Sequence, residues 1–141
     1  MDSPLDQIEA DRLIAVLKES ILKTVFTWYE GTRLEEIFVE LGGKESKFFL
    51  SLNRNPFEIR LQLRTKGANV GLARVDNAAQ HINPDGHVLR GPHLHLYRDG
   101  YGLAWAESID WHDPSKPLDT LRRFLDLVHA RFAAGYMEPL L

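Results

Sequence analysis

KFFLSLNRNPFEIRLQLR, residues 47–64, is the stretch that decides the fold. Phe48, Leu50 and Leu52 alternate with Phe49, Ser51 and Asn53. Beyond Arg54-Asn55-Pro56, Phe57, Ile59, Leu61 and Leu63 alternate with Glu58, Arg60, Gln62 and Arg64. A period of two with one polar set marks antiparallel strands that bury one face and wet the other. A shorter strand over Leu72 to Val75 extends the same sheet. Asn83-Pro84-Asp85-Gly86 is a turn, because proline presets its second position and glycine tolerates a positive φ.

Outward from these strands the period becomes helical. Ser3-Pro4-Leu5-Asp6 reads as a helix start, with a capping serine and proline at the first helical position. Leu5, Ile8, Leu13, Val16, Leu17, Ile21, Val25 and Trp28 then recur at three-to-four spacing and predict one long amphipathic helix. A second short helix is expected over Arg33 to Leu41, closed by Gly42-Gly43. Pro117 opens a last helix carrying Leu118, Leu121, Leu125, Val128 and Phe132, with Gly135 as its stop. The expectation is a single α+β domain over residues 1–141, with an antiparallel sheet of about four to five strands and N- and C-terminal helices packed on one face.

Composition narrows the function classes. The 141 residues include no cysteine, which removes disulfides, thiolate nucleophiles and Cys-type zinc knuckles. No apolar run approaches the roughly 20 residues of a membrane span, and the N-terminus is acidic where a secretory signal is basic, so the expected location is cytoplasmic. The net charge of −3 argues against a polyelectrolyte binder. Residues 54–98 depart from that balance, with seven basic and three acidic side chains, a local +4, and with four of the six histidines. Such a local field favours a phosphate or carboxylate ligand.

Within that region lies GPHLHLYRDGYGLAWAE, residues 91–107. If Asp99-Gly100 is a two-residue hairpin turn, Arg98 pairs with Tyr101, Tyr97 with Gly102, His95 with Ala104 and His93 with Ala106. Cross-strand partners share a face. His93, His95 and Tyr97 then look over a floor of very small side chains, which leaves room for something above them.

Several chemistries suit this pattern. Paired histidines can move protons at a phosphodiester while arginines hold the phosphate, which gives His93 and His95 as acid and base, Tyr97 as orienter, and Arg60, Arg64 and Arg98 as phosphate holders. Alternation puts Arg98 on the face away from His95, so it is the outlier of that set. Imidazoles at i and i+2 on a strand can also reach one ion, with a third ligand from His81, His87 or Asp85; zinc, nickel or manganese would suit such a site better than calcium. For a ligand set of His93, His95 and His81 the metal expected is a divalent transition ion such as zinc. A partly buried, hydrogen-bonded pair of structural histidines and a non-catalytic binding surface are the plainer readings. His81 and His87 flank the turn, and a regular hairpin puts them on opposite faces.

IEADRLIAVLK (8–18), NPDG (83–86), GPHLHLYRDGYG (91–102) and WAE (105–107), in that order, resemble a family of small bacterial proteins known as domain of unknown function 6978. Before the turn the family pattern has a Gly-x-Pro-His element, where this chain has Asn77-Ala78-Ala79-Gln80-His81 and keeps only the histidine. The resemblance implies a bacterial cytoplasmic protein encoded on a mobile element, in a toxin, defence or counter-defence setting. The function expected from residues and resemblance together is a small ribonuclease-like hydrolase acting on RNA. The alternative is a non-enzymatic protein that binds a metal or a protein partner.

Overall fold

The computed structural model describes residues 4–31 and 33–140. The chain runs as α1 (Gln7–Ala15), β1 (Lys18–Ser20), β2 (Phe26–Thr27), β3 (Arg33–Glu40), β4 (Lys47–Arg54), β5 (Ile59–Thr65), β6 (Gly71–Asp76), β7 (His81–Ile82), β8 (Val88–Leu89), β9 (His93–Leu96), β10 (Ala106–Ser108), α2 (Pro117–Val128), β11 (Ala130–Arg131) and β12 (Tyr136–Met137). Among the described residues, eight strands form one mixed sheet in the order β10-β9-β6-β5-β4-β3-β1-β11. Its neighbours are antiparallel except for the parallel pair β1 and β11. The α+β class is as expected, but the sheet has eight strands where about four to five were foreseen.

The alternating stretch is realised as read. Leu50 faces Leu63 and Leu52 faces Leu61 across β4 and β5. Phe48, Leu50, Leu52, Ile59, Leu61 and Leu63 are all fully buried. Each such side chain contributes about 1.5–3 kcal/mol over an exposed one. They join Ala10 and Leu13 of α1 and Leu121, Phe124, Leu125 and Val128 of α2 in one core, so both helices cover the same sheet face. The polar partners Ser51, Asn53, Arg60, Gln62 and Arg64 are left on the other face.

Three helical readings give way to strands or end early. α1 stops at Ala15, because Val16 takes an extended conformation (φ −64°, ψ 144°). Leu17, Ile21 and Val25 of the supposed stripe are 45–52% exposed. Beyond Val16 the chain gains more by inserting β1 between β3 and β11, where each side finds a hydrogen-bonding partner. The expected cap Ser3 lies outside the described residues; Asp6 caps α1, its side chain accepting from the Glu9 N–H at 2.8 Å. Arg33 to Leu41 is not a helix. Residues 33–39 pair with 47–53 in β3 and β4, and pairing with a ready partner strand overrides local propensity. The last helix ends at Val128 with His129 in the left-handed conformation (φ 57°), ahead of the foreseen stop at Gly135.

The 91–107 hairpin keeps its face but changes its register. Arg98 bridges Gly102 rather than Tyr101, and β10 begins only at Ala106, which sits opposite His95; Ser108 sits opposite His93. The shift at the histidines is two residues, so they keep the small-residue face they were assigned. The slack falls in Leu103 to Trp105, where carbonyls are turned out of the ladder and toward the histidines.

Candidate metal centre

β6 supplies the floor of the site. Its Arg74 lies opposite His95 and its Asp76 opposite His93, so these four side chains share the sheet face away from the helices. The turn Asn83-Pro84-Asp85-Gly86 closes β7 onto β8, with the Gly86 N–H donating to the Asn83 carbonyl at 2.8 Å and Gly86 at φ 88°. That hairpin folds His81 over the two strand histidines. The ring centroids of His81 lie 5.3 Å from His93 and 4.8 Å from His95, and His93 and His95 are 4.8 Å apart. One ligand nitrogen from each of the three lies within 4.8 Å of the others.

Each ring has one nitrogen committed. His93 Nδ1–H donates to the Gly91 carbonyl at 2.8 Å and His95 Nδ1–H to the Leu103 carbonyl at 2.6 Å. His81 Nε2–H donates to the Ala104 carbonyl at 2.9 Å and to Asn83 Oδ1 at 3.1 Å. Asn83 is itself fixed, accepting from the Ala106 N–H and donating to its carbonyl. A carbonyl that takes one imidazole N–H fixes the tautomer and aims the second nitrogen, which is how histidines are held for a metal. In His93 and His95 the aimed atom is Nε2.

Those nitrogens point at charge. Asp76 Oδ1 is 2.7 Å from His93 Nε2 and Asp76 Oδ2 is 3.9 Å from His95 Nε2. Arg74 Nε is 3.1 Å from Asp76 Oδ2, and Arg74 Nη2–H donates to His95 Nε2 at 3.3 Å. His93 and His95 are each 1% exposed and Asp76 8%. Burial, reinforced by the Arg74 charge, lowers the His95 pKa to about 4. His95 is therefore a neutral imidazole at physiological pH, the form that ligates a metal and one too weakly basic for efficient proton transfer near pH 7.

The sequence-predicted residues divide cleanly. His81, His93 and His95 come together, and the regular-hairpin argument did not keep His81 out. Tyr97 does not join them. Its hydroxyl donates to the Leu5 carbonyl at 2.6 Å and accepts from the Leu5 N–H at 3.1 Å, which ties the segment before α1 to the end of β9. Arg98 is spent on Trp105, its guanidinium 4.2 Å above the ring. Arg64 is engaged by Asn69, Ser51 and Glu35, one bond from each of its three nitrogens. Arg60 is more open, pairs with Glu58 at 3.4 Å, and lines with Arg33, Asn53, Gln62 and Arg64 a shallow groove of about 290 Å³ on the outer sheet face. His87 and Asp85 are exposed on the turn, and among the described residues it is His81 that meets His93 and His95 within ligand distance.

Sequence reasoning missed Asp76, Arg74 and Asn83. Arg74 and Asp76 are two apart on a strand with apolar neighbours, which already places them on one polar face. That this face is shared with His93 and His95 depends on β6 pairing with β9 around the β7–β8 excursion, and no local pattern carries that.

No curated protein and no solved structure matches the chain. A family model does, over residues 5–130, which take in α1, the β6–β9 pair and all three histidines. The chain belongs to that group, described as a family of unknown function, DUF6978.

Proposed function

We propose that this protein binds a zinc-class divalent ion through His81, His93 and His95, and that the ion clips the β7–β8 hairpin onto the sheet. The carrying observation is the convergence of three imidazoles from two separate elements, with each strand imidazole anchored by Nδ1–H on a carbonyl. Nitrogen-rich donor sets select zinc, nickel or copper over calcium and magnesium. Because the site is closed over by His81, it resembles a structural rather than a substrate-turning centre. The protein would then act by presenting a metal-stabilised surface to a partner.

The test is elemental analysis of purified, tag-free protein with melting curves in the presence and absence of chelator. About one zinc-class ion per chain and a melting temperature that falls on chelation is the expected result, because an ion that binds only the folded form stabilises it. Metal-free protein that takes up no added zinc and melts unchanged would refute the reading.

One observation favours a second reading, a ribonuclease-like hydrolase of the toxin or defence type. The groove carrying Arg33, Arg60 and Gln62 lies on the same sheet face as the histidines and offers guanidinium donors to a phosphodiester. Burial weighs against it, since a substrate cannot touch His93 or His95 unless the β7–β8 hairpin lifts. Cleavage of RNA by the intact protein that is abolished in a folded His95→Ala variant would establish it over the binding role.

A further inference from the structure

Asp76 is a carboxylate whose charged neighbours, Arg74 and His93, approach it out of hydrogen-bond alignment. Its side chain is 11% exposed and its Oδ1 is fully buried, yet Oδ1 accepts no aligned hydrogen bond, although His93 Nε2 is only 2.7 Å away. The same holds on its other side, where Arg74 Nε is buried, lies 3.1 Å from Oδ2 and makes no aligned hydrogen bond. A buried ionised group is strongly disfavoured unless it is paired in good geometry. Here two cationic candidates approach it and neither is well directed. With His93 Nδ1–H committed to Gly91, a bare Nε2 would set one lone pair against another at that distance.

An ion between these atoms removes both difficulties. Ligands at 2.0–2.2 Å from a tetrahedral zinc lie about 3.3–3.5 Å from one another. The observed separations of 2.7 Å to His93 and 3.9 Å to His95 straddle that value, so sub-ångström adjustments bring Asp76 to ligand distance from both, while the three imidazole nitrogens, within 4.8 Å of one another, close in around the ion. The strand register makes this possible without backbone change, since Asp76 is the direct neighbour of His93 and sits one ladder step from His95.

Resting on the metal-centre reading above, we infer that Asp76 is the fourth ligand and that Arg74 is a resident cation which yields its place to the incoming ion. Arg74 donates to His95 Nε2 and lies against Asp76 Oδ2, two of the atoms the ion would take. On metal entry it remains protonated and swings outward, and any proton on His93 Nε2 leaves to solvent. Its side chain is already 34% exposed, which gives it somewhere to go. Across β5 its neighbour is Gln62, so the released guanidinium enters the groove lined by Gln62 and Arg60. The ion therefore completes a His₃Asp shell and adds a positive charge to the outer sheet face in one exchange. Arg74 acts as a specificity device, because only an ion that binds more strongly than the internal guanidinium can enter.

The test titrates cobalt(II) and zinc into the full chain, as the intact protein, Asp76→Asn and Arg74→Gln. Visible cobalt bands report coordination, and competition with a chromophoric chelator gives zinc affinity. The intact protein should give the intense bands of a tetrahedral site. Asp76→Asn should lose zinc affinity by about 100-fold and change the bands, at the upper end of what supporting groups cost when removed. Arg74→Gln should bind about tenfold more tightly, since its competitor is gone. Unchanged bands and affinity in Asp76→Asn would overturn the ligand assignment, and equal or weaker binding in Arg74→Gln would overturn the exchange. If Asp76→Asn fails to fold, Asp76→Glu replaces it: a longer carboxylate at a ligand position should shift the cobalt bands, and bands identical to those of the intact protein would overturn the ligand assignment. No cobalt or zinc uptake by the intact protein would instead sink the metal centre itself.

Discussion

At the scale of single residues, the most demanding side chain outside the site is Lys18. It is fully buried, and its ammonium donates to the carbonyls of Ile14 at 2.9 Å, Val16 at 2.9 Å and Val128 at 2.7 Å. Those acceptors belong to the C-terminal ends of both helices, where unpaired carbonyls and the negative end of the helix dipole attract a cation. Burial lowers its pKa to about 7, with the Glu40 charge opposing. Lys18→Met should cost about 3 kcal/mol or more in urea unfolding, since three buried carbonyls lose their donor. The pH dependence follows from the direction of the shift. Between about 7 and 10.4 the unfolded chain holds a proton that the folded one has released, so the Lys18 contribution to stability rises with pH across that window. The deficit of Lys18→Met should therefore widen from pH 7 to pH 10; a constant deficit would show that the three carbonyls keep the ammonium charged. This residue was invisible in the sequence because Lys18 falls where a helical stripe was being read. His93 and His95 were legible for the opposite reason, since two polar residues alternating with leucines need no knowledge of the tertiary partner to be put on one face.

At the scale of elements, α2 is the one most fully written in its own segment. Pro117 stands at the first helical position and Leu121, Phe124, Leu125 and Val128 are buried in succession. Its end was less readable. His129 takes φ 57° and its N–H turns back to the Leu125 and Asp126 carbonyls, a position that glycine fills without strain. His129→Gly should therefore raise stability by up to about 1 kcal/mol, measured as a shift in the melting temperature; a loss would mean that the imidazole has a role its backbone conformation does not reveal. β3 is the contrary case. Leu34, Glu35, Glu36, Ile37, Phe38 and Val39 satisfy either period, and only the presence of β4 decides between them. The alternating stretch 47–64 was decisive because two long complementary runs separated by a short turn have one economical arrangement. Arg33 to Leu41 had no such companion in view. The Asp99-Gly100 turn was recognised as a turn, but its exact length was not, since Tyr101 completes the loop and Leu103 to Trp105 bulge before pairing resumes. Without that bulge the Leu103 and Ala104 carbonyls could not hold His95 and His81.

At the scale of the whole molecule, the sheet divides labour between its faces. One face is dry and shared by both helices; the other carries the histidine cluster at one end and the arginine-lined groove at its middle. The number of strands was underestimated because seven of the twelve among the described residues have only two or three residues, too short for any period to show. Among them are β1, β2, β11 and β12, which join distant parts of the chain: Lys18 lies beside Ala130 and Phe26 beside Tyr136, both pairs parallel. Phe26 and Phe132 stack at 4.6 Å between those two junctions. A chain stopped after Val128 loses both parallel pairings and this stack. Its unfolding should move to markedly lower urea concentration, with β3 to β6 retaining the slowest amide exchange; exchange lost uniformly across the sheet would contradict that order. The same closure sets the order in which the strands find partners as the chain leaves the ribosome. The β3–β4–β5 meander has all its partners early in synthesis, whereas β1 must wait as an unshielded edge until β11 emerges. During that interval the nascent chain carries a half-paired strand and an unplaced lysine, the condition in which a chaperone has most to do.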